Sequence, residues 1–192
     1  GAKVVSVGIS PNGENINHNC GALYPQHLAM HVLEENANLG IALDGDGDRV
    51  IFCDEKGVIV DGDKILAILA MDMIKEDLLK EKTVVATVMS NMALDDFMES
   101  KGGKVIKVSV GDRYVVDELR KRQLNLGGEQ SGHIVLLDYA TTGDGVIAAL
   151  QILKAVIKEN RPLSEISNIL KPYPQILLNI KVKEKKDYTV IN

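Results

Sequence analysis

Along this 192-residue chain the spacing of apolar positions changes character near Asp61. Before that point short apolar runs dominate. Lys3–Ile9 reads as a strand, broken by Pro11-Asn12-Gly13. Helical spacing over His27–Glu35 makes Leu28, Val32 and Met30 available to one apolar face. Leu39–Leu43 has the length of a buried strand and runs directly into Asp44-Gly-Asp-Gly-Asp-Arg49. Val50–Cys53 then leads through a hairpin-type turn, Asp54-Glu-Lys-Gly57, to Val58-Ile-Val60.

Beyond Asp61 helices and strands alternate. Ile65, Ile68, Leu69 and Met73 predict an amphipathic helix over Lys64–Lys80, capped by Asp63. Val84–Val88 follows as a strand, and Ser90 or Asn91 caps a helix that leaves at Lys101-Gly102-Gly103. Val105–Val110 is a strand, Gly111-Asp112-Arg113 a turn and Tyr114–Arg122 a short helix. Leu124–Leu126 and Ile134–Leu137 are strands on either side of Gly127–His133. Thr142-Gly-Asp-Gly145 opens a helix to Asn160, and Leu177–Asn192 reads as a strand with a charged tail. Strands and helices joined by short loops imply an α/β fold.

Composition narrows the partners. Aromatic residues are 4% and Trp is absent, so the core is built from Val, Ile, Leu, Ala and Met. The net charge is −5 with no basic run, which excludes nucleic acid and membrane as partners, since both need a concentrated positive patch. An anionic substrate needs only a few cations or a metal. Cys20 and Cys53 lack metal-type or redox-type spacing and read as reduced thiols. No apolar run has the length of a membrane span, and Gly1-Ala-Lys-Val-Val is not a signal peptide. The expected location is cytoplasmic.

The richest chemistry lies at Asp44, Asp46 and Asp48. In extended backbone, alternate side chains share one side, so three carboxylates converge. Close carboxylates repel unless a cation sits among them, and hard oxygen donors suit Mg²⁺ or Ca²⁺. A helix–loop–helix calcium loop fits poorly: Glu55 occupies its last ligand position, but Arg49 stands where that loop needs glycine, and the flanks are strands. A solvated acidic turn is the plain alternative. Asp61-Gly-Asp63 has the same spacing and reads as a turn and cap. Arg49 could neutralise a phosphoryl group beside the metal, or pair with a neighbouring aspartate.

Asp44-Gly-Asp-Gly-Asp-Arg49, followed downstream by Gly128-Glu-Gln-Ser-Gly-His133, resembles the α-D-phosphohexomutase family. Five smaller stretches are similar to its phosphoglucosamine mutase branch: Pro11–Asn17, Met89–Met92, Val110–Val115, Thr141–Gly145 and Pro174–Leu177. The resemblance implies an isomerase of four domains around a central cleft, in which a phosphoserine exchanges phosphate with the sugar, and for this chain an α/β fold of mixed β-sheet layered with helices. It implies that Asp44, Asp46 and Asp48 hold one Mg²⁺ with Arg49 beside it. Glu129 and Ser131 would bind sugar hydroxyls, and Gly111, Asp112 and Arg113 would form a second sugar-facing loop. His133 would lie in the cleft as a proton-transfer or binding group. The implied substrate is a hexosamine phosphate, glucosamine 6-phosphate, converted to the 1-phosphate for peptidoglycan precursors; a phosphomannomutase or phosphoglucomutase is the other branch.

The family's serine motif, Thr/Ser-Ala-Ser-His-Asn-Pro, does not occur in this sequence. Both ends look cut. The expected organisation is therefore one partial and one complete domain: residues 1–58 as the latter part of the second domain, 59–175 as the third, and 176–192 as a linker toward a fourth. Such a fragment is expected to be inactive alone, and its truncated sheet edge could pair with another copy.

Read without the resemblance, the downstream loop lies where one strand gives way to another, and ligands gather at the carboxyl ends of strands in open α/β sheets. Glu and Ser suit hydroxyl recognition because one accepts and the other both donates and accepts. The plain readings are that Glu129 and Ser131 are turn residues, that His133 is structural, and that Asp112 and Asp144 cap helices. His18, His27 and His31 have no partner pattern and read as surface or packing residues. A stand-alone metal- or sugar-phosphate-binding module is the non-catalytic alternative.

Overall fold

The computed structural model describes residues 1–178. The strand and tail expected over Leu177–Asn192 lie outside the described residues except for Leu177 and Leu178, which are exposed and outside any strand.

The first sheet is an antiparallel hairpin with one added strand, in the order β1 (Leu39–Leu43), β2 (Val50–Asp54), β3 (Ile59–Val60). Leu39 pairs with Asp54 and Leu43 with Val50, so the register delivers the aspartate loop at the hairpin's tip. Asp54 sets the opposite turn. Its Oδ1 accepts from the backbone N–H groups of Lys56 and Val58, while Gly57 takes a positive φ of 80°. Helix α1 (Pro25–Glu34) lies against β1 and β2. Val32 and Leu28 fill the space a side chain at Gly40 would need, whereas Met30 is exposed.

Lys3–Ile9 is not a strand. Val4, Val5, Val7 and Ile9 are all exposed, and β-branched residues form a strand only where a ladder partner and a face to bury exist.

The second sheet contains β4 (Thr83–Thr87), β5 (Lys104–Val108), β6 (Leu126–Gly128) and β7 (Ile134–Leu136), in the order β5-β4-β6-β7. β4 runs parallel to β5 and β6, and β7 is antiparallel to β6, so the sheet is mixed, as the resemblance implied. Helices α3 (Ala93–Ser100) and α4 (Asp112–Arg122) make the crossovers. β4 alternates between two cores. Val84 and Ala86 face α2 (Gly62–Lys75), α3, α5 (Gly145–Glu159) and α6 (Leu163–Ser167), whereas Val85 faces Val115, Val116 and Leu119 of α4. Val50, Phe52 and Val60 join the larger core, so the hairpin sheet and α2 share one apolar interior. Burying each of Phe52, Ile65, Leu66 and Leu126 contributes about 1.5–3 kcal/mol relative to exposure.

Four boundaries differ from the sequence reading. Asp61, not Asp63, caps α2, its Oδ1 accepting from Lys64 N–H at 3.1 Å. That helix ends at Lys75 rather than Lys80, where Asp77 turns into the left-handed region. The N-cap position of α3 is Met92, with no side-chain cap, rather than Ser90 or Asn91; Asn91 Oδ1 accepts from Ala93 N–H from one residue further out. α4 begins at Asp112, immediately after the turn residue Gly111. Asp144 caps α5 as expected, accepting from Ile147 N–H at 2.8 Å.

Candidate functional site

Because β4, β5 and β6 are parallel, their carboxyl ends share one rim of the sheet. Residues 88–92, 109–113 and 129–133 leave from it. The aspartate loop is fastened to the same place by backbone. Arg49 and His133 form an antiparallel bridge, and Val50 N–H donates to Gly132 O at 3.0 Å. Gly145 N–H donates to Gly47 O at 2.9 Å, and Gly62 N–H to Gln130 O at 3.0 Å. These approaches require glycine at two points: a Cβ at Gly62 would collide with the carbonyl of Glu129, and Gly132 holds φ at +94° against Val50.

Within the loop, Asp44 Oδ1 accepts from the N–H groups of Gly47 and Arg49, both at 3.1 Å, which curls the backbone around its carboxylate. Asp44, Asp46 and Asp48 each present an oxygen within 4.8 Å of the others. Burial pushes the Asp48 carboxyl above its ordinary range, and neighbouring Asp44 and Asp46 raise it further, against the opposing influence of His133. Three hard oxygen donors gathered at one point, one of them strained by its like-charged neighbours, fit a divalent cation such as Mg²⁺. Arg49 Nε lies 3.7 Å from Asp44 Oδ2 and 3.9 Å from Asp48 Oδ1 with its side chain 41% exposed, so it pairs with the aspartates while still reaching solvent.

The structure joins the other two loops through Glu129. Its Oε1 accepts from Gly111 N–H at 3.0 Å, and Ser131 Oγ donates to its Oε2 at 3.4 Å. Gly111 holds φ at +131°, a conformation that favours glycine. Asp112 Oδ1 accepts from Arg113 N–H, and Arg113 is highly exposed with Nε 3.5 Å from Asp117. Glu129, Ser131, Gly111, Asp112 and Arg113 are therefore assembled at the rim.

His133 is not on that open surface. It is 1% exposed, because its ring occupies the space beside Gly143, where an added Cβ would collide with it.

A buried polar knot next to the site escaped the sequence reading. Asp63 is 1% exposed, its Oδ2 accepts from Asn91 N–H at 2.8 Å, and burial pushes its carboxyl up. Asn91 Oδ1 accepts from Tyr173 N–H, and its Nδ2 donates to Tyr173 O and to Gln175 Oε1. Lys107 Nζ donates to Ser90 O at 3.1 Å and lies 3.0 Å from Asp95. The signal available in the sequence was Asn91 itself, a polar residue inside Met89–Met92.

Residues 61–173 match the family model for phosphoglucomutase/phosphomannomutase, alpha/beta/alpha domain III. Over the full length the chain is 57% identical to a phosphoglucosamine mutase of Pelobacter propionicus, and over 97% of its length 54% identical to one from Myxococcus xanthus. It spans only 42% and 41% of those relatives. Among solved structures, a phosphoglucomutase/phosphomannomutase family protein from Burkholderia thailandensis superposes with a TM-score of 0.70 at 23% identity, covering 79% of this chain and 33% of that one. Aspergillus fumigatus N-acetylphosphoglucosamine mutase, in complex with GlcNAc-6P and magnesium, superposes with a TM-score of 0.67 at 19% identity, covering 90% and 41%. These two show a shared fold.

Proposed function

The chain belongs to the phosphoglucomutase/phosphomannomutase family, and on that premise we propose that it is part of a phosphoglucosamine mutase that interconverts glucosamine 6-phosphate and glucosamine 1-phosphate. The observation that carries the reading is the convergence of the aspartate loop and the Glu129 loop on one rim, fastened by the Arg49–His133 bridge. The glucosamine branch is supported by identity to proteins of that name along the whole chain.

In this reading Asp44, Asp46 and Asp48 hold one Mg²⁺, which supplies positive charge to the phosphoryl oxygens when bound. Arg49 adds a guanidinium beside it. Glu129, Ser131 and the Gly111–Arg113 turn take the sugar hydroxyls. Glu129 already spans both loops, so hydroxyl recognition and loop position depend on the same carboxylate. The phosphoserine comes from the remainder of the longer protein, so this chain alone does not turn over substrate. Residues 1–58 and 59–175 are read as parts of the second and third family domains, with β3 pairing across that division to β2. Among the described residues no helix is long and apolar enough to cross a membrane. The reading includes a cytoplasmic location, a reducing compartment in which thiols such as Cys20 and Cys53 stay free.

The test is an assay of the full-length parent with Mg²⁺ on glucosamine 6-phosphate, mannose 1-phosphate and glucose 1-phosphate, beside its Asp46→Ala variant. Preferential turnover of glucosamine 6-phosphate, lost in the variant, is expected. Preference for either of the other sugars would reject the substrate while keeping the family.

A further inference from the structure

We infer that Asp63 is a positioning residue of the rim, acting through the Ser90–Asn91 peptide that it holds; this rests on the reading above that the rim binds a hexosamine phosphate. Three observations carry it. First, the loop it grips is central. In the strand order β5-β4-β6-β7 the loop after β4, residues 88–92, leaves the rim between the loops after β5 and β6. The Glu129–Gly111 hydrogen bond joins those two neighbours, so a sugar held by both lies against residues 88–92. Second, one peptide group is clamped at both ends. The N–H of Asn91 donates to Asp63 Oδ2 at 2.8 Å. The carbonyl of Ser90, the other half of the same peptide, accepts from Lys107 Nζ at 3.1 Å. A peptide is planar, so fixing its N–H and its C=O fixes the orientation of the loop there. Asp63 is 1% exposed; burial and nearby Asp61 push its carboxyl up, while Asn91 N–H, the Ser90 hydroxyl and the Lys107 ammonium oppose them. Asp63 Oδ1 and Ser90 Oγ are otherwise buried without a hydrogen-bond partner, which leaves the hydroxyl's donor for that carboxylate.

Third, the grip comes from an element that also holds the neighbouring loop. Asp63 is the second residue of α2, and the N–H of the first, Gly62, donates to Gln130 O at 3.0 Å. Asp61 fixes the same turn by accepting from Lys64 N–H. The first turn of α2 thus sets how residues 88–92 and 129–133 stand relative to one another. This assigns a task to the second Asp-Gly-Asp, which repeats the spacing of the metal loop but spends its carboxylates on backbone N–H groups. Asp61 holds the helix, Gly62 the loop that carries Glu129, and Asp63 the loop between the two sugar-facing turns.

Two variants of the full-length parent separate the clamp from mere burial. Asp63→Ala removes the acceptor, whereas Asp63→Asn keeps a carbonyl for Asn91 N–H and turns an amide toward Ser90. Two readouts are taken: steady-state kinetics on whichever hexose phosphate the parent turns over, and amide hydrogen exchange by mass spectrometry over residues 88–95. Asp63→Ala is expected to exchange faster in that segment and to lose at least about tenfold in kcat/KM, with Asp63→Asn within about threefold of wild type. Wild-type exchange over residues 88–95 in Asp63→Ala overturns the inference. Faster exchange with unchanged kcat/KM overturns it too, because the loop would then be held without consequence for the sugar. An Asp63→Asn variant as impaired as Asp63→Ala does the same. If the wild-type parent turns over no hexose phosphate, the functional reading fails instead, and the exchange measurement still decides whether Asp63 holds the loop. Should Asp63→Ala not fold by circular dichroism, Lys107→Met decides by the same two readouts, since it releases the other end of the same peptide.

Discussion

Glu129 Oε1 accepts the backbone N–H of Gly111 at 3.0 Å, tying the loop after β6 to the loop after β5 across the intervening strand β4. A hydrogen bond to a charged group contributes about 1.5–3 kcal/mol. Replacing Glu129 by alanine in the full-length parent therefore removes a sugar-binding carboxylate and frees the Gly111 turn together. The expected result is a fall in kcat/KM of at least about 10–100-fold with the fold intact by circular dichroism. A variant with unchanged kcat/KM would remove Glu129 from the site.

Asn91 should govern how residues 173–175 are held. Its side chain makes four hydrogen bonds, to Ala93, Tyr173 twice and Gln175, and the residue is buried. Asn91→Ala leaves buried partners unpaired and is expected to cost about 2–3 kcal/mol in urea unfolding. Limited proteolysis near Tyr173 should accelerate in the same variant. Unfolding at the wild-type midpoint would show that water replaces these bonds without loss.

Helices α2 and α5 are joined by a charge cluster with a definite pH signature. Lys154 and Lys158 each donate to Glu76 at 2.8 Å, and they hold its carboxyl down to about 2 from an ordinary 4.5. A carboxyl whose folded value is depressed contributes stability above its unfolded value and loses it as pH falls toward the folded one. The Tm difference between Glu76→Gln and wild type should thus be present at pH 7, shrink below about pH 4.5 and vanish near pH 2. Because Glu76 is exposed to solvent screening, high salt should reduce the difference at pH 7 as well. A pH-independent difference would be evidence against the pairing.

β1 is an edge strand, and Ile41 on it is partly exposed. Unpaired strand edges recruit other strands. The isolated 192-residue chain is expected to self-associate with rising concentration in light scattering, and Ile41→Lys to suppress it. Concentration-independent monomer elution would exclude this contact.

The local signals in the sequence proved reliable where local physics decides the outcome. Leu39–Leu43 is a strand over the expected residues, Asp144 caps its helix, and the spacing of Asp44, Asp46 and Asp48 does bring three carboxylates together. Spacing by two and a capping side chain act within a few residues of themselves, so no distant partner is needed. Lys3–Ile9 shows the opposite case: its composition suits a strand, yet a strand exists only if another segment supplies the ladder.

Asp63 and His133 mark the same divide within the site. From the chain alone Asp63 looked like a helix cap, because Asp61 and Asp63 offer the same chemistry; packing of Asn91 onto it settled which one faces inward. His133 belonged by motif with Glu129 and Ser131. The sequence by itself determined the α/β order, the triple-aspartate loop and the loop that faces it, since these follow from periodicity and residue type. Only the tertiary structure decided that Gly143 leaves room for a buried imidazole beside Asp48, because that contact is made by segments far apart in the chain and depends on a side chain being absent.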